Sequence, residues 1–307
     1  MLGSKITGWG AALPGTVITN EDFEKRLDTS DAWITERTGI KERRVGGTTA
    51  SLSIEAAQKA IAAAGLTPAD IGMLVLSTTT PDQTVPATSA TVQAELGLTC
   101  GAFDVNAACA GFVYALVVGH SMLLSGVEHV LVIGADTLSR ITDMEDRSTA
   151  VLFADGAGAV VLSRTEENNF LSWDLGVDGT LVPILYCDHG GYLRMEGREV
   201  FKRAVLAMVS SAQAALERAG ITTDDVALVV PHQANIRIIE AANNRLGIPM
   251  ERTAIVLDKT GNTSSGSIPL ALAAAADMGR IHPGDYFLFC GFGAGMTWAS
   301  AVVRWGA

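Results

Sequence analysis

A cysteine, a histidine and an asparagine occupy three turns of this chain from which each side chain could act on a carbonyl carbon. Cys109 lies in Phe103-Asp-Val-Asn-Ala-Ala-Cys-Ala-Gly-Phe112, which reads as a short apolar strand, a small-residue turn and then a helix from Tyr114 to Leu124. Such an elbow presents a thiol at a helix start. Unpaired N–H groups and the positive end of the helix dipole favour the thiolate there, against an ordinary cysteine pKa of ~8.5. The same residue also reads as a small buried hydrophobe. His232, in Pro231-His-Gln-Ala-Asn235, follows an apolar run at 226–230 and so stands at a strand's carboxyl end, where open α/β sheets carry their sites. An isolated histidine can equally be structural. Asn262 lies in Gly261-Asn-Thr-Ser-Ser-Gly-Ser-Ile-Pro-Leu270, with Pro269 tolerated in a first helical turn, and taken singly it reads as a turn or cap residue.

Together the three residues define a chemistry. Cysteine can carry an acyl group as a thioester, while neutral histidine and asparagine can both donate to an oxyanion, a combination suited to thioester enolates. A protease-like site would instead use the asparagine to orient the histidine beside the cysteine. Other motifs carry less. Gly291-Phe-Gly-Ala-Gly-Met296 resembles a dinucleotide fingerprint, but Met296 takes the third glycine position and a strand-like run, 298–303, follows where a helix should. Cys187-Asp-His189 is a single pair of metal-ligand types without a second pair at zinc spacing. Asn262-Thr-Ser264 fits a glycosylation acceptor, which has no meaning in a cytosolic chain.

The elements that must position these turns are duplicated. Ala64-Gly-Leu-Thr-Pro-Ala-Asp-Ile-Gly-Met-Leu-Val-Leu76 matches Ala219-Gly-Ile-Thr-Thr-Asp-Asp-Val-Ala-Leu-Val-Val-Pro231 at an offset of 219 − 64 = 155, about half the chain. Leu96-Gly-Leu98 then matches Leu246-Gly-Ile248, the Cys109 elbow matches Lys259-Thr-Gly-Asn-Thr263, and Val130–Gly134 matches Phe287–Gly291. A repeat this long is no solenoid period, and it implies two similar α/β domains packed face to face, 1–165 and 166–307. The polar run Ser163-Arg-Thr-Glu-Glu-Asn-Asn169 reads as the junction. Val200, Ala204, Met208, Ala212 and Leu216 recur every four residues, the apolar stripe of a helix. If the two elbows converge across a pseudo-twofold axis, Cys109 and Asn262 face each other with His232 between them.

Composition narrows the function class. With 48% hydrophobic and 18% charged residues in 307, the chain has the make-up of a closely packed α/β enzyme rather than a disordered one. A net charge of −11 argues against non-specific binding of nucleic acid or anionic membrane, so any acidic partner must meet a local basic patch. No apolar run reaches the ~18 residues needed to span a bilayer, and Met1-Leu-Gly-Ser-Lys-Ile6 has no leader-like apolar stretch, which makes the cytoplasm the expected compartment. The four cysteines, at 100, 109, 187 and 290, are expected as free thiols.

With these three turns in place, the chain closely resembles the beta-ketoacyl-acyl-carrier-protein synthase III family of the thiolase superfamily. Resemblance runs nearly end to end, through Asp28-Thr-Ser-Asp-Ala-Trp-Ile34, Arg37-Thr-Gly-Ile40, Pro81-Asp-Gln83, Asp146-Arg147, Phe153-Ala-Asp-Gly-Ala-Gly158 and Phe292-Gly-Ala-Gly-Met-Thr-Trp298. It implies a five-layered α-β-α-β-α fold and a homodimer that condenses an acyl-CoA primer with malonyl-acyl carrier protein, without metal or redox cofactor. By position, Cys109 takes the acyl group, and the backbone N–H groups of Cys109 and the Gly293-Ala294 loop form its oxyanion hole. His232 and Asn262 hold the malonyl thioester carbonyl, and Phe292 walls the site. Trp33 and Arg147 resemble the pair that sandwiches the CoA adenine, with Thr29 and Arg37 on the nucleotide, and an indole and a guanidinium both stack on a flat base. Arg237 and Lys202 resemble carrier-docking cations, which Arg198, Arg203 and Arg245 could extend. Two departures bear on the primer. Val85 stands where the family usually carries a large aromatic closing the acyl pocket, and Leu185-Tyr-Cys-Asp-His-Gly-Gly-Tyr192 is shorter than the family's loop.

Two further functions stand beside condensation. A relative could use Cys109 only to shuttle an acyl group to another acceptor, and an inactive copy could serve as a partner subunit. The first needs no enolate donors and the second no nucleophile, so Cys109, His232 and Asn262 together favour condensation.

Overall fold

The computed structural model describes residues 3–306. Met1, Leu2 and Ala307, which begin and end the two expected halves, lie outside the described residues, as does part of the segment Met1–Ile6 read for a leader. The chain runs through β1 (Gly3–Ala12), β2 (Thr16–Thr19), α1 (Asn20–Glu24), α2 (Asp31–Thr38), β3 (Glu42–Val45), α3 (Thr49–Ala63), β4 (Met73–Ser77), α4 (Thr88–Glu95), β5 (Gly101–Val105), α5 (Gly111–Leu124), β6 (His129–Thr137), α6 (Arg147–Ala150) and β7 (Asp155–Thr165). It continues with β8 (Phe170–Val177), β9 (Leu185–Tyr186), β10 (Arg194–Met195), α7 (Gly197–Ala219), β11 (Val226–Pro231), α8 (Ile236–Leu246), α9 (Leu257–Thr260), α10 (Ser267–Asp277), β12 (Tyr286–Gly293) and β13 (Thr297–Arg304).

Two sheets share one plan. The first has the order β1-β7-β6-β4-β5 and the second β8-β13-β12-β11. In each, the two outer pairs are antiparallel and the pair that reaches the site strand is parallel: β1/β7, β7/β6 and β6/β4 correspond to β8/β13, β13/β12 and β12/β11. Where the first sheet adds β5, the second has a single parallel bridge, Val229 to Thr253.

Helices complete five layers. α3 covers the outer face of the first sheet and α7 that of the second, while α5 and α10 lie between the sheets and touch both. The central helices carry apolar residues all round, as a layer buried on both sides requires, with Phe112, Leu116, Ile268 and Leu272 fully enclosed. The outer helix α7 is one-sided. Its stripe Val200, Ala204, Met208, Ala212 and Leu216 is buried, and each of the larger side chains contributes roughly 1.5–3 kcal/mol by leaving water. Gly220, in the left-handed region at φ 69°, then stops it.

Close approach between the halves is built into the strands. A Cβ on Gly134 of β6 would lie 2.2 Å from the carbonyl oxygen of Ser265, so only glycine lets the first sheet touch the turn that precedes α10. The two central helices therefore start beside each other.

Candidate active site

The two helix starts have the same backbone. Ala108 (φ 48°) and Ser264 (φ 49°) are the non-glycine residues with positive φ among those described, and each opens a short 3₁₀ turn, Ala108–Ala110 or Ser264–Gly266, that runs into α5 or α10. Each turn is fastened by an asparagine: Asn106 Oδ1 accepts the N–H of Ala108 at 3.1 Å, and Asn262 Oδ1 that of Ser264 at 2.9 Å. This corrects the register expected from the repeat. The counterpart of Cys109 is Ser265, and that of Asn262 is Asn106, an offset of 156.

A cavity of about 730 Å³ opens on the Cys109 elbow, and Cys109, His232 and Asn262 all line it. Asn262 is held by its backbone, with its N–H donating to Leu152 O and its carbonyl accepting from Ala154, both at 2.9 Å. Because its Oδ1 accepts from Ser264, its Nδ2 hydrogens remain for the cavity. His232 follows β11, and its backbone N–H donates to Cys290 O at 2.8 Å. Its Nδ1 lies 2.7 Å from Ser267 Oγ, and the Phe292 ring meets it edge-on at 5.4 Å. Phe292 and Ala294 line the cavity as expected. Gly293 is not part of that lining. It backs Cys109 instead: a Cβ there would fall 2.5 Å from the Cys109 nitrogen, and the loop closes on the elbow only because none is present.

Electrostatics departs from the sequence expectation at the nucleophile. Burial pushes the Cys109 thiol up to about 12, helped by the nearby Asp136 carboxylate, while the Ser264 hydroxyl and the cysteine's own N–H act in the opposite direction. The thiolate expected from the helix start is disfavoured, because desolvation of the sulphur outweighs the backbone dipoles. Burial also holds His232 down at about 3, so the imidazole is neutral at neutral pH. At rest the cavity is thus bordered by a thiol and an uncharged imidazole.

Asp136 went unnoticed in the sequence. It is fully buried at the end of β6, where Oδ1 accepts from the hydroxyls of Thr78, Thr79 and Thr80 and from the backbone N–H groups of Thr79 and Thr80, at 2.7–3.1 Å. Its Oδ2 reaches into the other half and accepts the N–H of Ser265 at 3.0 Å. One carboxylate thus ties the turn after β4 to the second elbow. An acidic residue in an apolar strand was the available signal.

The segment Leu185–Tyr192 also finds its place. β9 pairs with β10, and Leu185 through Gly190 form a wall of the cavity with Leu193 and Met195. Cys187 stands in this wall, its thiol donating to the carbonyl of Gly191 at 3.4 Å. All four cysteines are free. Val85 requires a correction: it is 81% exposed and lines no part of its own chain's cavity, because it precedes Thr88, whose N–H is fixed on Asp104 of the outermost strand β5.

Outside the cavity, the ring of Trp33 of α2 meets two guanidinium groups, Arg147 at 5.0 Å and Arg37 at 5.2 Å from the ring centre. Arg147 also donates to the carbonyl of Asp28, and the Thr29 hydroxyl beside it is buried without a hydrogen-bond partner. Asn235, in the cavity lining, donates to the carbonyl of Arg37 at 2.9 Å, so the cluster adjoins the cavity. Arg43 is buried beneath it, stacked on Phe23 and bonded to Asn20 and to the carbonyl of Val151, which ties α1 to the end of α6. Arg237 lies over Phe201, itself in the lining, at 5.8 Å. Lys202, exposed on α7, pairs with Glu199 at 2.8 Å. Among the described residues no three His, Cys, Asp or Glu side chains gather as metal ligands, and no helix is long and apolar enough to cross a membrane.

Comparison with known proteins adds three findings. Residues 103–179 match the family model for 3-oxoacyl-[acyl-carrier-protein] synthase III, and residues 216–305 match the model of its C-terminal part. Beta-ketoacyl-[acyl-carrier-protein] synthase III of Roseiflexus castenholzii is 49% identical, with 98% of each chain covered. Among solved structures, 3-oxoacyl-[acyl-carrier-protein] synthase III from Aquifex aeolicus superposes with a TM-score of 0.97 at 46% identity, over 99% of this chain and 100% of that one. The priming beta-ketosynthase of the R1128 polyketide pathway gives 0.95 at 35%, over 99% and 96%.

Proposed function

This chain belongs to the beta-ketoacyl-acyl-carrier-protein synthase III family of condensing enzymes, and from that premise we propose that it joins an acyl-CoA primer to malonyl-acyl carrier protein with loss of carbon dioxide. The observation that carries the reading is that Cys109, the Nδ2 group of Asn262 and a neutral His232 border one cavity.

In the first half-reaction the Cys109 sulphur attacks the primer's thioester carbonyl. An S-acyl bond forms, the CoA thiolate leaves, and the thiol proton goes to it. Because burial favours the protonated thiol, its proton leaves the sulphur as the carbonyl is engaged. In the second, the malonyl carboxylate leaves as carbon dioxide and its electron pair passes to the thioester oxygen. Asn262 and His232 donate to that enolate oxygen. The enolate carbon then attacks the acyl carbonyl on Cys109, whose oxyanion meets the N–H groups of Cys109 and of the Gly293-Ala294 loop. Collapse expels the Cys109 sulphur, which takes up a proton, and releases 3-oxoacyl-carrier protein. Preorganised donors of this kind contribute roughly 3 kcal/mol each in a site that excludes water. This chemistry calls on neither metal nor redox cofactor.

Trp33, Arg37, Arg147 and Thr29 are read as the CoA nucleotide site: the indole and guanidinium planes suit a base, and the Thr29 hydroxyl is left without a partner. Arg237 and Lys202 are read as docking cations for an acidic carrier, with Arg237 supported on Phe201 at the cavity. We place the reaction in the cytoplasm and the enzyme as a homodimer. In support of the dimer, β5 ends its sheet with an unpaired edge whose Phe103 and Val105 are only partly covered. Exposed Val85, near that edge, would then wall the acyl pocket of a second copy.

A simple acyl shuttle would not need two donors opposite the cysteine, and an inactive subunit would not need the cysteine. Two variants separate these readings. With labelled acyl-CoA, Cys109→Ala takes up no label, whereas Asn262→Asp keeps the label and releases neither carbon dioxide nor 3-oxoacyl product on addition of malonyl-carrier protein. Equal loss of label in both would contradict the assigned roles.

A further inference from the structure

His232 is neutral in the reaction proposed above, and a neutral imidazole carries its proton on one nitrogen only. A donor to the enolate must carry it on Nε2, since Nδ1 is occupied 2.7 Å from Ser267 Oγ. The neighbours of Ser267 decide which nitrogen that is. Its oxygen accepts the backbone N–H of Gln233 at 3.2 Å, and the residue is fully buried. A serine hydroxyl has one hydrogen to give, and among the described residues Nδ1 is the acceptor within reach of it. Protonation of Nδ1 instead would leave the buried hydroxyl hydrogen with no acceptor.

Ser267 stands where it does because of the duplication. It is the first residue of α10, and at the offset of 156 it corresponds to Gly111, the first residue of α5. A Cβ on Gly111 would fall 2.1 Å from the hydroxyl of Ser77, the residue that pairs with His232 in the sequence repeat. In the first half, the helix start therefore meets its strand end through a glycine. The second half places a hydroxyl in the same gap, against the histidine.

We infer that the Ser267 hydroxyl fixes His232 as the tautomer protonated at Nε2, which makes Ser267 a positioning residue for decarboxylation. The inference rests on the condensing role proposed for the site, and it can be tested apart from it. The protein has five histidines, so ¹⁵N-histidine labelling with His232→Gln as the difference control isolates the His232 nitrogens. The expected spectrum at pH 6–8 shows Nε2 protonated and Nδ1 unprotonated, a pattern that Ser267→Thr keeps and Ser267→Ala loses. In parallel, Ser267→Ala should lower kcat for condensation by roughly 10- to 100-fold, the usual cost of losing the partner that orients a functional histidine. KM for malonyl-carrier protein and acyl transfer to Cys109 should stay within about twofold of wild type, as both are independent of the His232 proton. A protonated Nδ1 in the wild-type protein, an unchanged spectrum in Ser267→Ala, or equal losses in acylation and condensation would each overturn the inference. If the wild-type protein forms no 3-oxoacyl product, the condensing role fails while the spectrum still decides the tautomer.

Discussion

The two elbows are one backbone put to two uses. Asn106-Ala-Ala-Cys109 and Asn262-Thr-Ser-Ser265 share the positive φ, the asparagine clasp and the 3₁₀ turn, yet only the first carries a nucleophile that meets the cavity. Ser265 is shut in: it accepts from Ser77 Oγ at 3.1 Å, donates to the carbonyl of Ala108 at 3.0 Å, and has its N–H on Asp136. The asparagines differ less. Both line the cavity, but Asn262 is buried there while Asn106 is exposed at it. The twin turns show that the fold supplies position, while what packs on each turn decides whether it reacts.

That contrast can be broken most severely at its reactive member. Cys109→Ala should reduce condensation by roughly a thousandfold or more, while Ser265→Cys in the same background recovers nothing, since position 265 does not line the cavity. Acyl label found at position 265 of that double variant by peptide mass spectrometry would show that position alone suffices. Next in size is the strut between the elbows. Asp136→Asn leaves buried donors without their carboxylate and should cost about 3 kcal/mol in denaturant unfolding. In that variant the Cys109 thiol should also ionise more readily, because Asp136 helps to hold it protonated.

The pH dependence sharpens the comparison further. With the Cys109 thiol near 12, alkylation by a neutral haloacetamide should climb about tenfold per pH unit from 7 to 10 without levelling, since reactivity follows the thiolate fraction. A plateau near pH 9 would mean an ordinary thiol. His232 runs the other way. Its folded pKa lies below the unfolded value, so the stability it contributes is present above about 6.5 and is lost as pH falls towards 3. His232→Gln should therefore flatten acid unfolding across that window. The smallest effect is expected at Val85, where Val85→Phe should shorten the preferred primer by a few carbons and leave Cys109 alkylation in the separated monomer unchanged.

Much of the site could be read in the chain because its turns have local signatures. Cys109, His232 and Asn262 each sit beside small or polar residues that end a strand or begin a helix, and the repeat at 155 aligned two of those turns. What could not be read depends on distant atoms. Positive φ at Ala108 and Ser264 has no signature, since neither residue type prefers it, and the one-residue change of offset at the elbows, from 155 to 156, was therefore missed. Asp136 gathers donors 56 to 58 residues before it and 129 after it, so no local pattern reveals its role. The expected thiolate at Cys109 came from a local dipole, whereas burial by the rest of the chain sets the outcome. Val85 was assigned to a pocket by type, but its loop, tied through Thr88 to the edge strand β5, leaves it exposed.

A single turnover decides the central claim. Wild-type protein is loaded with one acyl group on Cys109, freed of acyl-CoA and mixed with malonyl-carrier protein, and the acyl mass on the cysteine peptide is followed alongside released carbon dioxide. Loss of one acyl group for each carbon dioxide and each 3-oxoacyl-carrier protein formed is the predicted result. Loss of the acyl group without carbon dioxide, or carbon dioxide released while the acyl group stays on Cys109, would contradict it.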